Sequence, residues 1–317
     1  MSIDLSPANI LPEDHGLLVG RVWRPAPVNG PSVVRVDGSR VVDITAVFPT
    51  IADVLNAPDR AARVRTAAGP VLGDLADILA ESHPDRRAGV HFLAPSDLQP
   101  TKAAGVTFAI SMLERVIEEQ AKGDPARAAD LRATIQDQIG ADLSAIVPGS
   151  DQAEALKAKL IEMGAWSQYL EVGIGPMAEI FTKAPPMAAV GLGAAIGLHP
   201  FSTWSNPEPE VALAIAASGE IVGATLGNDV NLRDVEGRSA LLLGRAKDNN
   251  ASAALGPFLR LFDETFGIDD VRAAQLSLKV SGEDQFVLEG ASDMTAISRD
   301  PLDLAGQTLS QHHQYPD

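Results

Sequence analysis

The sequence contains no cysteine and is short of positive charge. Its 317 residues include 25 lysines and arginines against 42 aspartates and glutamates, a formal net charge of −17. The lack of cysteine excludes disulfides, thiolate metal sites and cysteine nucleophiles. The acidic excess argues against nucleic acid or an anionic membrane as a main partner, because both bind positive surfaces. Because there is no thiol, any catalytic or metal-binding group must be a side chain that acts through oxygen or nitrogen.

Long apolar runs are also missing. No stretch of about 18 apolar residues occurs, and the N-terminus MSIDLSPANILPEDHG has neither the basic nor the apolar region of a secretory signal. The chain is 45% hydrophobic, which is enough to bury a sizeable core. We therefore expect a soluble, cytoplasmic protein that binds neither nucleic acid nor a membrane.

Changes of pattern along the chain predict an α+β protein with two domains. Short alternating strands around the turn signal Asp37-Gly38 predict a small N-terminal α+β domain over residues 1–98. Residues 99–317 are expected to form a second, catalytic domain. A helical pattern at about 115–165 predicts an insertion into that domain.

Two further expectations concern the later part of the chain. The segment NLRDVEGRSALLLGRA at 231–246 has the pattern of one helix, with Asn231 as its N-cap. The sequence closes on HHQYPD directly after a helix predicted at 301–312. We expect that a closing C-terminal part of the fold is missing there.

The most informative segment is a predicted β-hairpin that carries three carboxylates. Two apolar runs flank Ser218-Gly219, and if these two residues form the loop, Glu208 lies opposite Asp229. Residues two apart on a strand share a face, and so do directly opposed residues. Glu208, Glu210 and Asp229 are therefore expected on one side of the hairpin.

Three carboxylates this close repel one another, which leaves three interpretations. One of them takes up a proton at a raised pKa, a cation lies between them, or they form a solvent-facing acidic strand edge. A cation held by oxygen atoms alone would be a hard divalent ion such as Mg²⁺, Mn²⁺ or Ca²⁺. A one-residue slip in the register would turn Asp229 to the opposite face.

Several motifs in combination resemble the fumarylacetoacetate hydrolase family. They are Glu208-Pro209-Glu210, the segment GNDVNLRD at 227–234, Lys247-Asp248 and FTK at 181–183. The resemblance implies a mixed β-sandwich roll that is usually dimeric, so we expect a homo-oligomer, either a dimer or a dimer of dimers. It also implies that Glu208, Glu210 and Asp229 hold Mg²⁺, the same residues that the hairpin register selects.

The resemblance also implies residues that meet the substrate. It places Lys247 at the substrate as a charge stabiliser or a base. Lys183, Glu236 and Asn249 are further candidates for substrate binding, since each lies in or next to a matching motif.

A departure from the family pattern falls in the segment GVTFAISMLE at 105–114. Ser111 stands where the hydrolases of the family carry a histidine, while Glu114 keeps its place. A serine without a positioned base is a poor general base, because its hydroxyl stays protonated near neutral pH. The serine therefore argues against hydrolytic activation of water. Ser111 is a candidate either for substrate binding or for the cap of the helix that follows, and we expect Glu114 to be the second acid/base group.

Longer matches resemble the sugar-acid branch of the family, the 2-keto-3-deoxy-pentonate dehydratases. They are AGVTFAISMLERVIEE, WSQYLEVGIGP and AKDNNASAALGPFLRLFDETFG. This resemblance implies a metal-dependent lyase that removes water from a small 2-keto-3-deoxy sugar acid, giving 2-oxoglutarate semialdehyde from a pentonate. The alternatives are a Mg²⁺-dependent C–C bond hydrolase of acylpyruvates or fumarylpyruvate, and an inactive member of the family.

Overall fold

The structure is a computed structural model. It describes residues 3–14, 16–105, 107–108, 116–117, 121, 129–130, 132–133, 146–162, 164 and 166–309. The helices are α1 (Pro7–Ile10), α2 (Ile51–Asn56), α3 (Arg60–Thr66), α4 (Leu75–Glu81), α5 (Asp151–Glu162), α6 (Gln168–Ile174), α7 (Arg233–Glu236), α8 (Leu243–Lys247), α9 (Ile268–Arg272) and α10 (Pro301–Thr308), with 3₁₀ turns at Ala240–Leu242 and Met294–Ala296. None of these helices has the length and apolar content that a membrane span needs, within the described ranges.

The strands are distributed over both predicted parts of the chain. They are β1 (Leu18–Arg24), β2 (Gly30–Asp37), β3 (Arg40–Asp43), β4 (Val71–Asp74), β5 (His91–Leu93), β6 (Thr101–Gly105), β7 (Glu179–Ala184), β8 (Ser205–Asn206), β9 (Pro209–Ile215), β10 (Ile221–Asp229), β11 (Asn231–Leu232), β12 (Ala253–Leu255), β13 (Phe258–Leu261), β14 (Gln275–Ser281) and β15 (Val287–Asp293).

One sheet of antiparallel strand pairs joins the two predicted parts of the chain. Among the described residues nine strands belong to it, in the order β12-β10-β13-β1-β2-β3-β4, with β5 also paired to β1 and β9 to β10. The junction is the antiparallel pair β1–β13, in which Val19 lies opposite Leu259. The strands predicted over the first part are therefore continuous with the sheet that carries the hairpin.

Apolar residues alternate between the two faces of this sheet, as a strand period of two requires. On β1, Val19 contributes to one buried cluster and Leu18 and Val22 to the other. The first cluster is covered by α2 and α3, and the second by α4. Helix α2 begins after Thr50, whose side chain accepts a hydrogen bond from the Asp53 N–H.

The β9–β10 hairpin has the predicted register, but its loop differs from the predicted one. Its loop has three residues, 217–219, closed by the Ala216 N–H to the Glu220 carbonyl at 2.9 Å, and Gly219 has a φ of +88°. The prediction of a two-residue loop was wrong by one residue. Val222 forms a bulge on β10 that restores the count, so that Gly223 lies opposite Ala214 and every later pair follows as expected.

The single helix predicted over 231–246 is interrupted. Asn231 belongs to the short strand β11, where it pairs with Asn206, and α7 and α8 flank a 3₁₀ turn. The Ser239 side chain caps that turn by accepting from the Leu241 N–H. The N-cap assigned to Asn231 was therefore wrong, because its amide is used in contacts across the fold.

Helix α10 is held against the rest of the fold by a buried arginine. Arg299 is 1% exposed, and its guanidinium donates to the Val172 carbonyl at 2.7 Å and to the Gly175 carbonyl at 2.6 Å. Asp300 caps α10 by accepting from the Leu302 N–H at 2.8 Å. These contacts fix α10 over the cavity described next.

Candidate active site

The base of the β9–β10 hairpin carries the three predicted carboxylates. Glu210 lies opposite Gly227, and the Asp229 N–H donates to the Glu208 carbonyl at 2.9 Å. The side chains of Glu208 and Asp229 share a face, since both contact the Nζ atom of Lys247. The register predicted from the sequence is confirmed here.

The ammonium of Lys247 lies between two of the carboxylates. Its Nζ donates to Glu208 Oε2 in a short contact and to Asp229 Oδ2 at 3.0 Å. Burial works to lower the pKa of Lys247, but the charges of Glu208 and Asp229 outweigh burial and raise it above its ordinary value. The structure thus places a lysine, and not the divalent ion that the sequence analysis considered, between these two side chains.

The electrostatic environment of Glu210 differs from that of Glu208 and Asp229. Its side chain faces a cavity and stays accessible there, although protein surrounds it. Desolvation first, and then the charges of Asp229 and Glu208, raise the pKa of Glu210 to about 8, with Lys247 acting in the opposite direction. Of the three interpretations, the structure therefore favours a carboxyl with a raised pKa, and that carboxyl is Glu210.

Lys183 closes the cluster from β7. Its Nζ donates to the Val230 carbonyl at 2.7 Å and to the Lys247 carbonyl in a short contact, and it lies 2.9 Å from Asp229 Oδ1. Burial lowers the pKa of Lys183, and the charge of Asp229 partly offsets this. The structure brings Lys183 and Lys247 to the same carboxylate from two elements.

An amide connects Glu208 to the start of α7. The Asn231 Nδ2 atom donates to Glu208 Oε1 at 3.0 Å and to Glu236 Oε2 at 2.7 Å, and Arg233 donates to the same Glu236 oxygen at 2.7 Å. The N–H groups of Arg233 and Asp234 donate to the carbonyl of Trp204. Sequence reasoning missed the role of Asn231, because its partners lie on three separate segments.

Two predicted substrate-binding residues have contacts of their own. Glu236 is engaged with Asn231 and Arg233, behind Glu208. Asn249 donates from its side chain to the Arg245 carbonyl at 3.2 Å and so closes the end of α8. Ser111 and Glu114 lie outside the described residues.

A cavity of about 480 Å³ opens beside the carboxylates. Its polar end is formed by Lys183, Glu210, Asn228 and Asp229. Much of the remaining wall is apolar and includes Leu213 of β9 and Leu304 of α10. The carboxylate cluster is therefore next to a space large enough for a small organic acid.

The oxygen atoms at this end suit a hard cation in their chemistry. Asp229 Oδ1 is buried and lies 2.9 Å from Lys183 Nζ, and the Glu210 carboxyl lies beside two other carboxylates. As the side chains stand, however, no group of three or more histidine, aspartate or glutamate residues in the described ranges is arranged so that it could hold a metal ion. Lys247 occupies the space between Glu208 and Asp229 instead.

The chain is similar to two curated dehydratases, although no family model matches it. A probable 2-keto-3-deoxyxylonate dehydratase of Haloferax volcanii is 26% identical over 242 residues, 76% of this chain and 65% of the relative. A 2-dehydro-3-deoxy-D-arabinonate dehydratase of Saccharolobus solfataricus is 35% identical over 139 residues, 44% of this chain and 45% of the relative. Each match spans less than two thirds of the relative's length.

Solved structures show the same fold. A 2-keto-3-deoxy-D-arabinonate dehydratase complexed with magnesium and 2,5-dioxopentanoate superposes with a TM-score of 0.65 at 20% identity, covering 95% of this chain and 84% of that chain. A fumarylacetoacetate hydrolase of Exiguobacterium antarcticum superposes with a TM-score of 0.53 at 14% identity, covering 92% and 80%.

These comparisons confirm two expectations from the sequence. The chain has the mixed α+β fold of fumarylacetoacetate hydrolase-type proteins. The resemblance to 2-keto-3-deoxy-pentonate dehydratases is also confirmed, since both curated relatives carry names of that group.

Proposed function

We propose that this protein is a metal-dependent hydro-lyase that removes water from a 2-keto-3-deoxy sugar acid, with a pentonate as substrate and 2-oxoglutarate semialdehyde as product. The observation that carries the proposal is the cluster of Glu208, Asp229 and Lys247, of which Asp229 lines a cavity of about 480 Å³. The names of both curated relatives support the same reaction.

The reaction requires that a proton leaves C3 and that the C4 hydroxyl departs as water, which gives a 3,4-unsaturated 2-keto acid. A proton then leaves C5 while C3 is protonated, and the resulting C5 enol tautomerises to the aldehyde. Negative charge grows on the 2-keto oxygen as the C3 proton leaves, and Lys247 is our candidate to stabilise that charge or to take the proton. Glu114 is our candidate for the second acid/base group, which assists the leaving hydroxyl. Ser111 and Asn249 remain proposed substrate-binding residues, whereas Glu236 is proposed to act through Asn231, to which it is bonded.

We assign the divalent ion, Mg²⁺ with Mn²⁺ and Ca²⁺ as alternatives, to the oxygens of Glu208, Glu210 and Asp229. The three carboxylates lie together at the base of one hairpin, and oxygen donors of this kind suit such an ion. When bound, such an ion would polarise the keto group and offset the charge that develops there. Lys247 must then share Glu208 and Asp229 with it.

The decisive experiment measures turnover and metal binding in parallel. Incubation with Mg²⁺ and a 2-keto-3-deoxy-pentonate is expected to release a 2-keto aldehyde, which an aldehyde-specific reagent detects. In calorimetric titrations, Glu208→Ala and Asp229→Ala are expected to abolish Mg²⁺ binding. Unchanged Mg²⁺ affinity in both variants would defeat the ligand assignment, and no aldehyde from any 2-keto-3-deoxy acid would defeat the reaction.

One observation favours a second candidate, a C–C bond hydrolase of acylpyruvates. The wall of the cavity away from the carboxylates is largely apolar, which suits an acyl chain better than a polyhydroxylated one. Incubation with an acylpyruvate in place of the sugar acid separates the two, because only the hydrolase releases pyruvate and a free carboxylic acid.

We also propose a homo-oligomer, a dimer or a dimer of dimers, located in the cytoplasm. Light scattering during size-exclusion chromatography tests the assembly, and a monomeric mass would overturn it.

A further inference from the structure

Lys183 is almost fully buried, and its contacts within the protein use all the hydrogen-bond donors of its ammonium group. The residue is 1% exposed. Its Nζ donates to the main-chain carbonyls of Val230 and Lys247 and faces Asp229 Oδ1 at 2.9 Å. An ammonium has three N–H donors. Two of these N–H groups donate to main-chain carbonyls and the third faces the Asp229 carboxylate. No N–H group of Lys183 is left to bind a substrate.

These contacts tie together three elements that build the site. Lys183 is on β7, Val230 follows the end of β10, and Lys247 ends α8. The Lys247 carbonyl also accepts from the Ser252 Oγ atom at 2.8 Å. The main chain from which the Lys247 side chain extends is therefore held by two side-chain donors, and Lys183 additionally holds Asp229, to which Lys247 donates.

We propose that Lys183 is a positioning residue, which holds the main chain of Lys247 and the carboxylate of Asp229 in the relative placement that the site needs and does not touch the substrate. The inference rests on the proposed function, because it assigns Asp229 to the metal and Lys247 to the reaction. It replaces the direct substrate contact that the sequence resemblance implies for Lys183.

The lack of cysteine allows a test that changes only the end of this side chain. Lys183→Cys introduces the sole thiol, which is alkylated in denaturant before refolding. Treatment with 2-bromoethylamine restores a side chain of the length of lysine with an ammonium. Treatment with 1-iodopropane gives the same shape without charge or donors. Wild-type protein, which has no thiol, is taken through the same steps as the control.

The readouts are kcat, KM for the 2-keto acid, and Mn²⁺ affinity by calorimetry. For the propyl form we expect Mn²⁺ affinity and kcat to fall by about 10- to 100-fold, as is usual for residues behind a metal ligand, with KM within about twofold of wild type. The aminoethyl form is expected to recover most of both losses. A raised KM with unchanged Mn²⁺ affinity, or equal behaviour of the two forms, would overturn the proposal.

A second variant decides the matter if the alkylated forms do not refold. Ser252→Ala removes the other donor to the Lys247 carbonyl and is expressed as a folded chain. We expect a smaller loss of kcat and Mn²⁺ affinity, about two- to tenfold, again with KM unchanged. Wild-type kcat and Mn²⁺ affinity in this variant would overturn the proposal.

The metal titration separates this proposal from the proposed reaction. A wild-type chain that binds Mn²⁺ but turns over no 2-keto acid contradicts the reaction only, and the Mn²⁺ affinities of the two alkylated forms still decide the role of Lys183. A wild-type chain that binds no Mn²⁺ contradicts both.

Discussion

The side-chain amide of Asn231 and the charged groups bonded to it hold Glu208 in position. Asn231 is fully buried, and its Nδ2 atom is shared between Glu208 and Glu236. Arg233 balances the charge of Glu236 from the opposite side at 2.7 Å. Glu236 therefore acts on the site through Asn231, and it need not meet the substrate to matter.

The first prediction concerns Glu236→Ala. Loss of this acceptor leaves the buried Asn231 amide with one partner fewer, so we expect the free energy of unfolding to fall by about 1–2 kcal/mol. KM for the 2-keto acid should stay within about twofold of wild type. Urea unfolding and steady-state kinetics measure the two effects. An intact stability with a KM raised tenfold or more would instead show a direct substrate contact.

The second prediction concerns Glu210 and pH, in the presence of a chelator. The folded protein retains the Glu210 proton up to a pKa of about 8, whereas the unfolded chain releases it near the ordinary value of 4.5. Folding stability from this group is therefore complete below pH 4.5 and is lost as pH rises through about 8. Glu210→Gln should match wild type at pH 5 and melt about a few degrees higher at pH 9. Melting curves that differ equally at both pH values would contradict this.

At the scale of elements, two local irregularities preserve the hairpin register. The three-residue loop adds one residue on one side, and the Val222 bulge adds one on the other. Gly219 allows the loop because its φ of +88° is unfavourable for residues with a Cβ atom.

The third prediction is that Gly219→Ala lowers the free energy of unfolding by about 1 kcal/mol, measured by urea denaturation. Gly219→Asn is the matched control and should lose less, because asparagine tolerates a positive φ. Mn²⁺ affinity should not change in either variant, since the strand pairs beyond the bulge keep Glu208 opposite Asp229. A large loss of Mn²⁺ affinity would show that the loop, and not the ladder, sets the register.

The fourth prediction concerns the start of α10. The Arg272 guanidinium donates to both oxygens of Asp300 and holds the pKa of this carboxyl below its usual range. The resulting stability is present above the unfolded-state pKa and is lost as pH falls through the folded-state value. Asp300→Asn keeps the helix cap but loses the ion pair. Its melting temperature should lie below that of wild type at pH 7 and converge with it below about pH 3. A constant difference across this range would contradict the assignment.

Local sequence patterns predicted the helices and strands, but they could not predict contacts between segments that are distant in the sequence. Strand alternation and the hairpin register identified Glu208, Glu210 and Asp229 as one cluster, because both depend on neighbours in the ladder. The helix expected over 231–246 is broken because Asn231 pairs with Asn206 and bonds Glu208 and Glu236, none of which a helical period reveals. The carbonyl contacts of Lys183 are equally invisible, since any residue type supplies a carbonyl.

At the scale of the whole molecule, the sheet couples the N-terminal strands to the site. One buried cluster contains Val19 and Val33 from residues 1–98 together with Val222 and Leu261 from residues 99–317. Since β1 pairs directly with β13, unfolding of either part exposes this cluster. We expect the two parts to unfold together.

The fifth prediction tests this coupling with Leu261→Ala. Leu261 is fully buried on β13, so the substitution should cost about 3 kcal/mol. Hydrogen exchange of the protected amides in β2 and β10 should then accelerate by the same factor, about 100-fold. Leu302→Ala, at a half-exposed position on α10, is the control and should change neither. Acceleration confined to β10 would show that residues 1–98 fold independently.

The carbonyl of Trp204 receives the first N–H groups of α7, the helix that carries Glu236, and 61% of the Trp204 residue is exposed. The chain has only two other tryptophans, Trp23 and Trp166. With those two replaced by phenylalanine, the emission of Trp204 would serve as a built-in optical reporter for the start of α7, readable in real time and without an attached dye.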